Sequence, residues 1–235
     1  MPFNDIEAIK KMTTGKTAAV LLEPIQGEGG VNIPDDGYLP QVRVWCDKAG
    51  ILLMLDEVQT GLSRTGKLFA YQHYGIEPDA MAVAKALGGG FPIGVFLAKE
   101  HCAVLGPGEH GTTFGGSALA CEVGYSVLKY MLDHDLPAQA AGRGEFLARK
   151  LHSLADRHPL VTEVRGRGLI WAVELEYPVA EQAVSDCLQA GLLLNNVKPT
   201  ALRLIPPLTV SEEEIERAVE IIERVLAQTE AGTPK

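Results

Sequence analysis

Three short apolar runs, each ending on a charged side chain, constrain this chain more than any other feature. Thr17 to Leu22 ends at Glu23-Pro24, Ile51 to Leu55 ends at Asp56-Glu57, and Ala80 to Ala84 ends at Lys85. A fourth run, Ile93 to Ala98, follows. Runs this short, without polar alternation, are the pattern of strands covered on both faces of a sheet. Between the first two lies Tyr38 to Gly50, apolar at helical spacing, with Gly50 as its stop. Strand, helix, strand with short links reads as a right-handed parallel crossover. In open α/β sheets, ligands bind beyond the carboxyl ends of the strands. Glu23, Asp56 and Lys85, at three such ends, therefore point to one site.

The rest of the chain changes character. Gly116 to His134 is helical, with Leu119, Val123, Val127 and Met131 four apart. A second helix is expected from Leu136 to His158. Val161 to Val164 and Leu169 to Leu175 read as strands around the turn Gly166-Arg167-Gly168. Val179 to Ala190 is helical, and Leu192 to Leu194 and Ala201 to Ile205 read as short strands. Ser211-Glu212-Glu213-Glu214 is a capping box opening a last amphipathic helix, with Ile215, Val219, Ile222 and Val225 on one face. The expected fold class is α/β. A mainly parallel sheet is expected in residues 1–135 and a small α+β domain in residues 136–235.

Composition narrows the function classes. The 235 residues carry a net charge of −9. No Lys/Arg cluster resembles a nucleic-acid footprint, so nucleic acid is not an expected partner. The acidity falls on solvated helix faces such as Glu212, Glu213, Glu214, Glu216 and Glu220. Cys46, Cys102, Cys121 and Cys187 are far apart and form no CxxC pair, which argues for free thiols rather than a metal site or a disulfide scaffold. Met1-Pro2-Phe3-Asn4-Asp5 lacks the form of a signal peptide, and no apolar run is long enough to span a bilayer. A cytoplasmic location without membrane association is expected.

The chemistry concentrates in Asp56-Glu57-Val58-Gln59 and Lys85. A carboxylate at one strand end and a lysine at the next suit a pyridine cofactor. The carboxylate keeps the ring nitrogen protonated, and the ring then draws electrons from a carbanion at the substrate carbon. The lysine joins the cofactor as a Schiff base and moves a proton as base and acid. Burial in such a site would lower its pKa.

Five segments carry a resemblance that covers nearly the whole chain. They are Glu23-Pro24-Ile25-Gln26-Gly27-Glu28-Gly29-Gly30, then Leu55-Asp56-Glu57-Val58-Gln59-Thr60-Gly61 through Arg64-Thr65-Gly66, and Ala84-Lys85-Ala86-Leu87-Gly88-Gly89-Gly90. After these come Gly108-Glu109-His110-Gly111-Thr112-Thr113-Phe114-Gly115-Gly116 and Arg203-Leu204-Ile205-Pro206-Pro207-Leu208. In this order they resemble the motifs of the class III, ornithine-type, pyridoxal-phosphate-dependent aminotransferases.

The resemblance implies a partial fold-type I architecture, with 1–135 the later part of a large cofactor-binding domain and 136–235 a small C-terminal domain. It implies pyridoxal 5'-phosphate as cofactor, with Lys85 as the Schiff-base lysine, Asp56 on the pyridine nitrogen and Gln59 near the ring oxygen. Thr113 would reach the phosphate of the partner's cofactor in a homodimer, and Thr112 would contact substrate. Arg203 would bind the α-carboxylate of glutamate or 2-oxoglutarate in a bidentate fork. Glu28 would pair with Arg203 when the amine donor places no carboxylate there. Within the class, Gly27 to Gly30, Gly191 to Asn195 and Leu202 to Leu208 most resemble members acting on N-acetylornithine in arginine biosynthesis. Ornithine, succinylornithine, 4-aminobutyrate and carrier-bound lysine are donors used on the same scaffold. A decarboxylase, racemase or aminomutase, or a non-catalytic remnant, are the other readings.

The resemblance also implies groups that would precede residue 1. These are a phosphate-binding loop at a helix N-terminus, an aromatic residue stacked on the ring, and a second substrate arginine. Met1-Pro2-Phe3-Asn4-Asp5 reads as an internal stretch of a longer protein. The 235 residues alone are expected to bind cofactor weakly, show little activity and aggregate.

Overall fold

The computed structural model describes residues 1–232. Helix α1 (Ile6–Met12) opens the chain, its first turn capped by Asp5, which accepts from the Ala8 N–H at 2.9 Å. The apolar runs then become β1 (Ala19–Leu22), β2 (Leu52–Asp56), β3 (Ala80–Val83) and β4 (Val95–Ala98), a sheet in the order β1-β2-β3-β4. β1, β2 and β3 are parallel, and β4 runs antiparallel to β3. Helix α2 (Tyr38–Ala49) links β1 to β2 and ends at Gly50, where φ is +64°. Glycine takes that left-handed turn without a Cβ penalty. Leu39, Val42 and Cys46 of α2 pack with Val20, Leu53 and Leu55 of the strands in one core. Each such leucine, fully buried, contributes roughly 1.5–3 kcal/mol. Helix α3 (Ala118–Asp133) follows the sheet.

These strands are not covered on both faces. Leu53 and Leu55 are buried, but Leu21, Phe96 and Leu97 are exposed. Successive side chains point to opposite faces, so Val20 faces the core and Leu21 faces away. β4 is an edge strand, with β3 as its neighbour on one side. Leu119, the first of the four spaced apolar residues of α3, is exposed as well, whereas Met131 is buried.

The chain divides into two compact units. The first comprises Met1–Pro24, Pro34–Ser63 and Lys67–Asp135, and the second Ile25–Ile33, Arg64–Gly66 and Leu136–Lys235. The second unit contains α4 (Leu136–Arg157), β5 (Val161–Arg167), β6 (Ile170–Leu175), α5 (Ala180–Gln189), β7 (Asn195–Lys198), β8 (Ala201–Leu204) and α6 (Glu212–Gly232). Its strands form an antiparallel sheet in the order β5-β6-β8-β7. Leu147, Leu151 and Leu154 of α4 and Ile215, Val219, Ile222 and Val225 of α6 share one core with Val173, Leu175, Leu202 and Leu204 of the sheet. The capping box forms as read: Ser211 N–H donates to Glu214 Oε2 at 2.8 Å, and Glu214 N–H to Ser211 Oγ at 3.1 Å.

Two boundaries differ from expectation. Leu192 to Leu194 is not a strand; β7 starts at Asn195. The chain leaving α5 first closes that helix, with Gly191 N–H on Leu188 O at 3.0 Å and Leu192 N–H on Cys187 O at 2.8 Å. Those donors are spent on the cap and cannot enter the ladder. β5 also runs on through Gly166 and Arg167, which pair with Trp171 and Ile170, so the turn shrinks to Gly168-Leu169. At Gly168 φ is +57°, and a Cβ would lie 2.5 Å from the Thr65 backbone, so only glycine fits.

Among the described residues no helix is long and apolar enough to cross a membrane, and no His, Cys, Asp and Glu side chains group as a metal site would require. All four cysteines are free. Burial pushes the Cys46 and Cys187 thiols up to about 11, which leaves them unreactive.

Candidate active site

In the first unit, parallel pairing brings the carboxyl ends of β1, β2 and β3 to one edge of the sheet. Glu23, Asp56 and Lys85 lie along that edge. Asp56 pairs with Ala82, and the next residue, Glu57, donates its N–H to Ala82 O at 2.9 Å. Asp56 Oδ1 accepts from the Val58 N–H at 2.9 Å, which holds the carboxylate over its own turn.

Glu57 is the residue that the sequence reading left without a role. It is fully buried and accepts from Thr60 Oγ1 at 2.5 Å, from Ala70 N–H at 3.1 Å and from Tyr71 N–H at 2.9 Å. Burial pushes its carboxyl up, while the Thr60, Tyr71 and Ala70 bonds oppose that. It thus ties both ends of the turn-rich segment that carries Gln59, which is half-buried. The available signal was a second carboxylate beside Asp56 with a hydroxyl three residues on.

Lys85 has φ +46°, a left-handed backbone that costs a non-glycine residue roughly 1–2 kcal/mol. Strain of this kind concentrates at functional positions. It opens a single 3-10 turn, Lys85–Gly88, closed by Gly89 at φ +55°. Gly89 serves this turn, which gives the glycine triplet a local reason. The expected burial of Lys85 is absent: its side chain is exposed, and among the described residues its ammonium has no hydrogen bond or ion pair. Thr112 and Thr113 lie in a wholly exposed stretch, 103–119. Thr112 Oγ1 accepts from Gly115 N–H at 3.2 Å.

In the second unit, Arg203 sits on β8 between β6 and β7, opposite Ala172 and Asn195. Its side chain is buried, yet Nη1 donates to Glu28 Oε1 at 2.8 Å, and the Glu28 side chain is 69% exposed. The Asn195 amide, with its oxygen toward the guanidinium, accepts from Nη2 at 2.8 Å. Arg64 donates to Leu169 O at 3.0 Å and Pro206 O at 2.6 Å, and burial lowers its pKa to about 10. It holds the segment that follows Arg203.

The donor set of the first unit fits a pyridoxal cofactor. Lys85 offers an unpartnered primary amine for an aldehyde, and the neighbouring strand end offers a carboxylate for a ring N–H. This arrangement defines a cofactor-dependent amine chemistry on an α/β sheet edge. The chain belongs to aminotransferase class III, a pyridoxal-phosphate-dependent family that matches residues 2–226.

Individual relatives follow. The chain is 45% identical over 228 residues to an acetylornithine aminotransferase of Caldanaerobacter subterraneus subsp. tengcongensis, covering 97% of this chain and 58% of the relative. It is 48% identical over 229 residues to an acetylornithine aminotransferase of Gloeobacter violaceus, covering 97% and 57%. The solved structure of Plasmodium falciparum ornithine delta-aminotransferase superposes with a TM-score of 0.94 at 36% identity, covering 99% of this chain and 61% of that one. The chain therefore spans less than two thirds of the length of these relatives.

Proposed function

We propose that this chain carries the cofactor lysine and the substrate-carboxylate clamp of a transaminase working between N-acetylornithine and 2-oxoglutarate. The carrying observation is the buried Arg203 guanidinium held at 2.8 Å by one oxygen of an exposed carboxylate, Glu28. A partner carboxylate that stays mostly in water is readily displaced by a bidentate substrate carboxylate. Arg203 would take the α-carboxylate of 2-oxoglutarate, and Glu28 would return to it when the donor places none there. One arginine then serves both half-reactions.

When bound, pyridoxal phosphate supplies an aldehyde that carries the amino group and a pyridinium that accepts electrons. Lys85 would hold that aldehyde and then move the proton at the substrate carbon. Asp56 would keep the ring nitrogen protonated, and Gln59 would bond the ring oxygen. Thr113 would serve the partner's cofactor phosphate in a homodimer, with Thr112 near substrate. Exposure of Phe114 beside them supports a partner-facing loop. In this reading 1–135 belongs to the cofactor domain and 136–235 to the small domain, and the enzyme works in the cytoplasm. Ornithine as donor is the second reading, favoured by the ornithine delta-aminotransferase likeness.

Two measurements test this. Chain equilibrated with pyridoxal phosphate and reduced with borohydride should carry the cofactor mass on Lys85, and a label spread over other lysines would sink the cofactor assignment. The full-length protein, loaded with cofactor, should lose its visible absorbance faster with N-acetylornithine than with ornithine or 4-aminobutyrate. Equal rates with all three would sink the donor assignment.

A further inference from the structure

We infer that Arg165 is a positioning residue that keeps Glu28 on Arg203 by clamping the loop Ile25–Ile33. The inference rests on the proposed exchange of Glu28 for a substrate carboxylate.

Arg165, on β5, is mostly buried. Its Nε and Nη2 both donate to the Gly30 carbonyl, at 3.0 and 2.7 Å. Nη2 also meets Glu174 Oε2 at 2.7 Å, and Nη1 meets Glu163 Oε2 at 2.7 Å. Glu174 is itself fixed, accepting from Thr200 Oγ1 at 2.5 Å. The guanidinium fork thus closes on a main-chain oxygen two residues beyond Glu28, and the sheet braces it from behind. A planar fork gives this geometry, whereas an ammonium would give a point contact.

The loop needs such a clamp. Val31 is fully buried against Ile25, Ile170 and Ala172 with φ +53°, a conformation that disfavours a β-branched residue. Gly30 has φ +120°, and a Cβ there would lie 2.7 Å from Lys198 Cε. Gln26 and Asn32 tie the loop's two ends, exchanging backbone bonds at 3.1 Å in both directions. Glu28 lies at the exposed tip. Because the Glu28 carboxylate is 69% exposed, a loop free to drift would let water compete for Arg203. Arg165 therefore sets how strongly Glu28 competes with an incoming carboxylate.

Glutarate, an unreactive dicarboxylate, is the probe. Its affinity for the 235-residue chain is read by isothermal titration calorimetry in wild type, Arg165→Met, Glu28→Gln, the double variant and Arg203→Ala. Glu28→Gln should tighten glutarate. Arg165→Met should tighten it roughly threefold in the native background and not at all beside Glu28→Gln, as expected of two residues acting in series. An equal effect of Arg165→Met in both backgrounds, or none in either, overturns the inference. Undiminished binding in Arg203→Ala instead sinks the clamp reading alone.

The loop's own hydrogen exchange decides in that case, and also if glutarate does not bind. Arg165→Met should speed amide exchange in 25–33 about tenfold while α6 stays unchanged. Unchanged exchange in the loop overturns the role of Arg165. If the Met variant does not fold, Arg165→Lys, which keeps a cation beside Glu174 and loses the fork on Gly30, carries the same comparison.

Discussion

Strands β4 and β8 are both four residues long, and their surroundings are opposite. β4, Val95-Phe96-Leu97-Ala98, is wholly apolar, yet Phe96 is 60% exposed. β8, Ala201-Leu202-Arg203-Leu204, holds an arginine, yet every residue in it is buried. β8 lies between β6 and β7 in an antiparallel sheet packed by α4 and α6, whereas β4 is an edge. Burial follows neighbours, not residue type. The chemistry divides the same way. The amine of Lys85 stands open at a sheet edge, and the guanidinium of Arg203 is enclosed, with Glu28 Oε1 at 2.8 Å from Nη1.

The largest expected difference is in the cores. Leu202→Ala should cost about 2–5 kcal/mol in urea unfolding, and Phe96→Ala under about 1 kcal/mol. Similar costs would erase the contrast. Next comes Asp79, which anchors the open sheet by accepting from the Leu53 N–H at 2.7 Å and from Arg43 at 2.8 Å, with His101 beside it. Burial alone would raise its carboxyl, but the Leu53 and Arg43 bonds outweigh that and hold it below the usual range. Its stabilisation is therefore complete above the ordinary carboxylate pKa and lost as pH falls through the depressed one. Asp79→Asn should cost about 1–3 kcal/mol at neutral pH and flatten that acid limb. An unchanged acid limb would remove Asp79 as its origin. Ser211→Ala should cost about 1 kcal/mol by uncapping α6, measured by the same unfolding. Glu28→Gln, which keeps a side-chain acceptor for the buried Arg203, should change stability by less than about 1 kcal/mol in the same unfolding. A larger loss would show that Glu28 is structural rather than exchangeable.

The strands of the first sheet, the helix ended by Gly50 and the capping box at Ser211 were legible because each depends on neighbours within a few residues. The exposure of Phe96 was not, since it depends on which strand ends the sheet. The shifted start of β7 was hidden because Gly191 and Leu192 serve two competing hydrogen-bond patterns. Asp56, Lys85 and Arg203 stood out through motifs, but the left-handed backbone of Lys85 and its exposure did not. Glu57 and Arg165 were missed for one reason. Their partners, Ala70 and Tyr71 for the first and Gly30 for the second, are main-chain atoms far along the sequence, and main-chain atoms leave no pattern in residue types.

The loop Ile25–Ile33 clusters with residues that follow Leu136. Recombination between genes of this family at the Asp135–Leu136 junction would therefore pass on Arg203 and Arg165 while taking Glu28 and Gly30 from the other parent. Donor choice, so far as it rests on these four residues, is inherited as a discontinuous block. Chimeras joined there would be expected to mix the carboxylate preferences of both parents rather than copy either one.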